Sequence, residues 1–253
     1  MIIQALFYLR EYFFPSGCGC CAAVLYHCKD SYYGLCTPCR DFLSAALVDE
    51  GSSRSRCGIC GRHLISEIQT CLSCRTNNND NGGKRSSFVK MHSLFPYSGK
   101  FRSVLGAYKF GKSIGVANFL VQRLSLALGN FEDIILKESA WVPVPPRSGK
   151  IKKQGWDQIE HLAHLLENRS KRLDKPLAVR RCLKRLPSRS QKGLNREQRS
   201  NNLKGRIVCT KPPPKTAILF DDVITTGTTF SACAQALLEG GSEKVYGISL
   251  FYD

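Results

Sequence analysis

Apolar residues in the last part of the chain first form a continuous run and then recur with a helical period. Residues 218–220 are bulky and apolar, and Val223 follows after two aspartates, which is typical of a buried strand in a parallel sheet. From Phe230 onwards, apolar side chains recur at helical spacing until Gly240 and Gly241, a common end of a helix. This pattern predicts a strand, a loop and a helix in that order.

Similar patterns occur further upstream. Residues 141–144 predict a short buried strand, and the prolines in and after it prevent a helix from starting at once. A basic loop follows, and the apolar positions within 156–166 mark one face of a helix. A further amphipathic helix is predicted to run from residue 101 through to residue 128.

The loop after the strand at 218–223 carries chemistry that suits a phosphate. Its residues are small: Thr225, Thr226, Gly227, Thr228 and Thr229. Hydroxyls and main-chain N–H groups at a helix N-terminus form an anion site. Asp221 and Asp222 would repel a phosphate, so they suit a neighbouring sugar diol or a bound Mg²⁺. The alternative is a unit without a ligand, because such strand–loop–helix units are common and aspartates often cap helices.

Eight of the 13 cysteines form four C-x-x-C pairs in the first part of the chain. The pairs are Cys18/Cys21, Cys36/Cys39, Cys57/Cys60 and Cys71/Cys74. Each pair offers two thiolates on one side of a tight turn, and two pairs make a tetrahedral Cys₄ site. Sequential pairing, first with second and third with fourth, predicts two structural zinc ions. A site filled by four protein thiolates has no open position and does not catalyse.

Three other uses of these cysteines stay open. Disulfides require an oxidising compartment, a redox C-x-x-C requires only one pair, and an iron–sulfur cluster also accepts four cysteines. Cys20 and Cys28 are additional thiols near the first two pairs, and His27 and His63 are close enough to replace a ligand. Cys182, Cys209 and Cys233 stand alone and are expected to pack in a core.

The chain has 253 residues, a hydrophobic fraction of 43% and a formal net charge of +17. Residues 169–206 include fourteen Lys or Arg and two acidic residues, which favours a polyanionic partner. Its candidate contacts to nucleic acid are Arg180, Arg181, Lys184, Arg185, Arg189 and Arg199. The apolar N-terminus is expected to form an amphipathic helix. Since no apolar run approaches the length of a membrane span and no export signal is recognised, we expect a cytoplasmic protein.

The segment around Asp221 resembles the ribose-5-phosphate-binding signature of type I phosphoribosyltransferases, in which an apolar strand and two acidic residues precede T-T-G-x-T. From Phe14 to Leu250 the chain is similar to the ComF family, a competence-associated, amidophosphoribosyltransferase-like group. The matching pieces are FFPSGCGC (13–20), YKFGK (108–112), VPVPPR (142–147), QGWDQ (154–158), QKGL (191–194), RSNN (199–202) and DDVITTGTT (221–229).

The resemblance implies an α/β fold, in which helices flank a type I phosphoribosyltransferase-like parallel sheet and a small zinc-ribbon module precedes it. The implied domains are an N-terminal helix and double zinc ribbon (1–75), a linker (76–87) and a phosphoribosyltransferase-like domain (88–253). The linker is polar and rich in Asn and Gly, which is typical of a boundary.

The implied ligand is phosphoribosyl pyrophosphate (PRPP) with Mg²⁺. Asp221 and Asp222 would be the catalytic pair that holds the ribose hydroxyls, and the threonine loop would hold the 5-phosphate. Arg147 and Lys153 would bind the pyrophosphate. The family commonly has R-G-F-N-Q where this chain has QGWDQ, so Lys152 and Lys153 would have to supply the missing positive charge.

Two functions are compatible with this resemblance. One is a phosphoribosyltransferase linked to natural competence and DNA uptake, whose acceptor substrate the sequence does not identify. The other is a non-catalytic module of the transformation machinery that binds single-stranded DNA and uses PRPP only as a ligand. In the second case the zinc ribbons and the basic segment would hold DNA, and other competence proteins would be partners.

Overall fold

A computed structural model describes residues 13, 15–48, 57–59, 61, 64, 67–72, 74–75, 88, 90–130, 138–170, 177–187, 205–225 and 227–253. The chain is divided into two compact units. The first unit combines Met1–Gly51 with Phe95–Leu126, and the second combines Ser52–Leu94 with Ala127–Asp253. The predicted N-terminal helix and the linker 76–87 lie outside the described residues. The domain boundaries drawn from the sequence therefore stay a prediction.

The second unit is built on a five-stranded sheet. The strands of the chain are β1 (Lys90–Pro96), β2 (Ser139–Pro143), β3 (Ala178–Val179), β4 (Leu183–Arg185), β5 (Ile207–Cys209), β6 (Thr216–Ile224) and β7 (Lys244–Tyr252). The order across the sheet is β1-β7-β6-β2-β3, and β4 and β5 form a separate antiparallel hairpin. The pairings β2–β3, β2–β6 and β6–β7 are parallel.

Helices flank this sheet and also form most of the first unit. They are α1 (Cys28–Tyr33), α2 (Thr37–Val48), α3 (Gly99–Lys109), α4 (Ile114–Ala127), α5 (Lys150–Gln154), α6 (Gln158–Ser170) and α7 (Thr228–Glu239), with a 3-10 turn at Leu128–Asn130. The predicted α/β fold with a parallel sheet and flanking helices is confirmed. Among the described residues, no helix combines the length and the apolar character that crossing a membrane requires.

The core of the second unit lies around β6 and α7. The first five residues of β6 are all buried, as expected for a central parallel strand that is covered on both faces. Phe220 is fully buried, and its ring meets the ring of Trp141 edge to face at a centroid distance of 5.6 Å. Phe230 and Leu237 of α7 pack into the same apolar cluster as Leu183 of the β4–β5 hairpin.

The first unit brings together two segments that are far apart in sequence. Gly34 ends α1 with a φ of 59°, and a Cβ on Gly115 of α4 would come within 2.4 Å of the Gly34 nitrogen. The two backbones can approach this closely only because both residues are glycines. The side-chain amide of Asn118 also donates to the Tyr32 carbonyl oxygen at 3.0 Å, which ties α4 to α1.

Two predicted elements differ from the structure. The helix predicted over 101–128 is two helices, because the backbone turns between Lys109 and Ile114 and Lys112 takes a φ of 50°. The basic loop after β2 contains the short helix α5, and the following helix begins at Gln158 rather than at Trp156. Local apolar spacing does not reveal these breaks, since both flanking segments have helical periodicity.

Candidate functional site

The two aspartates of the sequence motif lie at the carboxyl end of the central strand. Asp222 is buried, with 6% of its surface exposed, whereas Asp221 is half-buried. The main-chain N–H of Asp222 donates to Oδ1 of Asp221 at 2.8 Å. In parallel α/β sheets this end of the strands is where ligands bind. The structure therefore places both carboxylates where a ligand crevice is expected.

A series of side-chain hydrogen bonds from Lys150 through Gln158 to Asp222, called the relay below, holds Asp222 in position. Gln158, the first residue of α6, donates from Nε2 to Oδ2 of Asp222 at 2.8 Å. The Oε1 of the same amide accepts from Nζ of Lys150 at 2.5 Å. Because the amide oxygen is held by a cation, its NH₂ group is the end that faces the carboxylate. The relay thus fixes the orientation of the Asp222 carboxyl group, whose Oδ2 accepts the hydrogen bond.

Asp157 anchors the other end of the relay. Its Oδ2 pairs with Nζ of Lys150 at 2.6 Å, and its Oδ1 accepts from the main-chain N–H groups of Ile159 and Glu160. Asp157 therefore caps α6 and fixes Lys150 at the same time. The carboxylate at the position of the family's usual asparagine has a local partner, so it leaves no unpaired negative charge at the site. Sequence analysis did not assign roles to Lys150, Asp157 or Gln158, although all three belong to or precede the QGWDQ piece.

The threonine loop leads directly from β6 into α7. Gly227 has a φ of 73° and occupies the N-cap position of α7, where the structure shows no side-chain capping hydrogen bond. Thr228 and Thr229 form the first turn of this helix, and Thr225 is exposed just after the strand. A helix N-terminus that a glycine leaves open to an incoming group suits an anion. Thr226 lies outside the described residues.

The two basic residues predicted to bind pyrophosphate follow the carboxyl end of β2 in the chain. The main-chain N–H of Val144 donates to the Phe220 carbonyl oxygen at 3.0 Å, so the segment after β2 leaves the sheet next to the aspartates. Arg147 is exposed in that segment, and Lys153 is exposed on α5. Their role in binding stays a prediction.

The candidate contacts to nucleic acid differ in their surroundings. Arg180 and Lys184 are exposed, which suits contact with a polyanion. Arg181 instead donates to Glu160 at 2.6 Å and to Glu167 at 2.7 Å, so two carboxylates already balance its charge. Arg185 is buried, with 7% of its surface exposed. Arg189 and Arg199 lie outside the described residues.

The first two C-x-x-C pairs converge on one point of the first unit. The Sγ atoms of Cys18, Cys21, Cys36 and Cys39 all lie within 4.8 Å of one another. Cys21 and Cys36 are 3.7 Å apart at sulfur, close to the ~3.8 Å edge of a tetrahedron with Zn–S bonds of about 2.3 Å. The four thiols therefore fit a metal ion such as zinc. Cys20 and Cys28 are not among these four thiols; the Sγ of Cys20 lies 3.9 Å from the Lys100 carbonyl oxygen, and its side chain also interacts with that of Cys39.

Main-chain N–H groups near Cys18 favour the thiolate form of its side chain. Burial disfavours the charged sulfur, but backbone N–H groups of Cys21, Cys36 and Cys20 interact with it. The net effect lowers the pKa of Cys18 from 9.0 to about 7. Because the pKa of this thiol is lowered, protons compete less with a metal cation for its sulfur near neutral pH.

The third and fourth pairs form a second cluster, in the second unit. Cys57, Cys71 and Cys74 are buried, and their Sγ atoms lie within 4.8 Å of one another. The main-chain N–H of Cys71 donates to Sγ of Cys57 at 3.3 Å. Cys60, the fourth predicted ligand, lies outside the described residues. Both clusters follow the sequential pairing of the C-x-x-C pairs, and each could hold a metal ion.

The position of Cys20 gives a first testable prediction. A Cys20→Ser variant is expected to retain the metal content of the parent protein, because Cys20 is not one of the four residues whose sulfur atoms converge. A Cys36→Ser variant should lose about one metal ion per chain, since it removes one of the four ligands. Elemental analysis by mass spectrometry after gel filtration measures both. Metal loss in Cys20→Ser would show that Cys20 is a ligand.

The sequence of the whole chain is similar to that of a known protein. The chain is 27% identical to competence protein F of Haemophilus influenzae (strain ATCC 51907 / DSM 11121 / KW20 / Rd) over 231 residues, which cover 87% of this chain and 92% of that relative. The chain is a homologue of competence protein F. This similarity confirms the resemblance to the ComF family that the motifs indicated. No protein-family model matches the chain. The match to competence protein F is not confined to one motif, since it spans nearly the full length of both proteins.

Proposed function

We propose that the protein binds PRPP at the carboxyl end of β6 and transfers its phosphoribosyl group. The observation that supports this most is the direct succession of Asp221, Asp222 and the glycine-capped N-terminus of α7. Carboxylates suit the hydroxyls of a ribose, and the helix N-terminus suits its 5-phosphate. A ligand that carries both groups side by side matches the two halves of the site.

In this proposal the protein side chains bind and orient the sugar. Asp221 and Asp222 accept hydrogen bonds from the ribose hydroxyls, and Gln158 keeps Asp222 in the required orientation. As the bond between the anomeric carbon and pyrophosphate breaks and the bond from that carbon to the acceptor nucleophile forms, positive charge develops on the ring, and the fixed carboxylates offset it. A Mg²⁺ ion bound together with PRPP would supply charge neutralisation for the pyrophosphate leaving group.

The basic residues would act on the leaving group. Arg147 lies in the segment that leaves β2 beside the end of β6, so it can reach a pyrophosphate joined to the ribose. Lys153, on the short helix α5, is a further candidate. Lys150 is already engaged with Asp157 and Gln158, which makes it a positioning residue.

We further propose that this activity is linked to natural competence and that the protein acts in the cytoplasm. Its similarity to competence protein F supports the link to DNA uptake. Zinc is proposed as the metal of both cysteine clusters, on the basis of ligand type and spacing. A role in holding single-stranded DNA is the alternative, and it would rest on exposed basic residues such as Arg180 and Lys184.

Calorimetric titration of PRPP with Mg²⁺ into the zinc-loaded protein tests the proposal. The wild type should bind, and a double Asp221→Asn, Asp222→Asn variant should bind at least ~100-fold more weakly, because two charge-assisted contacts are lost. Asp41→Asn, which neutralises an exposed aspartate of α2, is the matched control and should bind like the wild type. Absence of binding by the wild type would reject the PRPP site. Single-stranded DNA would then be titrated at increasing salt, where affinity should fall steeply.

A further inference from the structure

Arg185 is a buried arginine at the end of the short strand β4. Along this strand Leu183 and Arg185 are buried, whereas Lys184 between them is exposed. Alternate residues of a strand face opposite sides, so Arg185 shares the face of Leu183, which packs against α7. The side chain therefore extends towards the core side of the hairpin. Only 7% of its surface is exposed.

The guanidinium of Arg185 has donors that no described residue satisfies. Its Nε and Nη2 are buried, and neither has a hydrogen-bond partner within the described portion of the chain. An arginine keeps its charge inside a protein, so it cannot escape this situation by losing a proton. A buried cation without a partner destabilises the folded state. An anion bound from outside the chain would supply the partner that the described residues do not.

The charged groups around Arg185 indicate what this partner is. Burial and the nearby Arg147 lower the pKa of Arg185 below its ordinary value, and Asp221 acts in the opposite direction. Asp221 is thus close enough for its charge to be felt, but no hydrogen bond joins the two side chains. The two guanidinium groups of Arg147 and Arg185 therefore form a positive region close to Asp221. An anionic group placed there would balance both charges.

We propose that Arg185, whose Nε and Nη2 have no partner among the described residues, is an anion-binding residue of this site and binds a pyrophosphate group together with Arg147. The inference deepens the proposed function and rests on it for the nature of the whole ligand. It assigns the pyrophosphate end to two arginines from different parts of the fold, one in the segment after β2 and one on β4 of the separate hairpin. Arg185 then acts in ligand binding rather than as the contact to nucleic acid that its sequence neighbours suggest.

If Arg185 binds a ligand, its replacement should change two properties of the protein. The empty protein carries an unbalanced buried charge, so replacing Arg185 with an apolar residue of similar length should stabilise the empty state. The occupied protein gains charge-assisted hydrogen bonds, so the same replacement should weaken anion binding. If Arg185 only stabilised the fold, replacing it would instead lower the stability of the empty protein.

Thermal unfolding of the zinc-loaded protein, with and without inorganic pyrophosphate, tests both properties. We expect pyrophosphate to raise the midpoint of the wild type. Arg185→Met should raise the midpoint of the empty protein by about 3 °C or more and should weaken pyrophosphate binding at least ~tenfold by calorimetry. Lys184→Met is the matched control, because it removes one positive charge from the same strand on the exposed face. It should change the affinity by less than about threefold.

Several outcomes would overturn the inference. A variant Arg185→Met that unfolds, or that melts below the wild type, would show that Arg185 stabilises the protein itself. Pyrophosphate binding that is unchanged in Arg185→Met, or that Lys184→Met weakens equally, would exclude a specific anion contact. Replacing pyrophosphate with inorganic phosphate distinguishes the two anions, and equal affinity for both would overturn the assignment to pyrophosphate.

The same titrations separate this inference from the proposed function. Binding of pyrophosphate without binding of PRPP would reject the PRPP site and leave the role of Arg185 supported. Binding of PRPP that Arg185→Met does not weaken, but that the double aspartate variant abolishes, would support the PRPP site and reject the role of Arg185.

Discussion

Removal of the metal from the Cys18 cluster is expected to unfold the first compact unit. The cluster joins the turn after Cys18 to the start of α2, and the only helix between them, α1, has six residues. A helix of this length has little stability of its own in water. Apparent binding free energies of structural zinc are about 10–16 kcal/mol, so the metal contributes more than other local interactions in this unit.

This prediction can be measured by adding a strong chelator to the zinc-loaded protein and following amide hydrogen exchange. The amides of α1, α2, α3 and α4 should lose protection when the zinc content falls. Lowering the pH should have the same effect, because protons compete with the metal for the thiolates and the stabilisation is lost as the pH falls. Cys182→Ser, which removes a thiol outside both clusters, should respond like the wild type. Retained protection after complete metal removal would contradict a structural role.

The second large effect is expected from Phe220→Ala. Phe220 is fully buried and precedes the two aspartates on β6, so truncating it should leave a cavity under the candidate site. Replacing a buried Phe with Ala typically lowers the free energy of unfolding by about 3–5 kcal/mol. The strand end should also become less ordered, which would weaken ligand binding beyond the loss of stability.

Trp141 offers a direct readout of this change, since its ring contacts the ring of Phe220. Denaturant unfolding followed by tryptophan fluorescence gives the loss of stability. Phe110→Ala is a control of the same chemistry, because Phe110 is 79% exposed and should change the free energy of unfolding by less than about 0.5 kcal/mol. Equal effects of the two substitutions would show that the core is not packed around Phe220 as described.

Local sequence patterns were sufficient to predict the strand, the loop and the helix of the candidate site. The apolar run of β6, the glycine at position 227 and the helical spacing of α7 are each encoded within a few residues. The cysteine spacing likewise predicted the members of both clusters and their pairing, apart from Cys60, which lies outside the described residues. These features depend on short-range geometry, which sequence patterns record well.

Contacts between distant segments were not predictable in the same way. The hydrogen bond from Gln158 to Asp222 joins residues 64 positions apart, and nothing in either segment identifies the other. The basic segment around Arg185 suggested an exposed surface, but the alternation of side chains along β4 turns Arg185 inwards while Lys184 stays exposed. A charge run therefore does not reveal which of its members the fold buries.

The close approach of Gly34 and Gly115 has a consequence for the order of events during synthesis. The ribosome adds 76 residues between Cys39 and Gly115, which takes about 4–15 s at ordinary rates. The four thiols of the first cluster are therefore synthesised well before α4, the helix that packs against α1. If they hold the proposed zinc, we expect the metal to bind the nascent chain before α4 exists, so that the supply of zinc during translation affects how much protein folds.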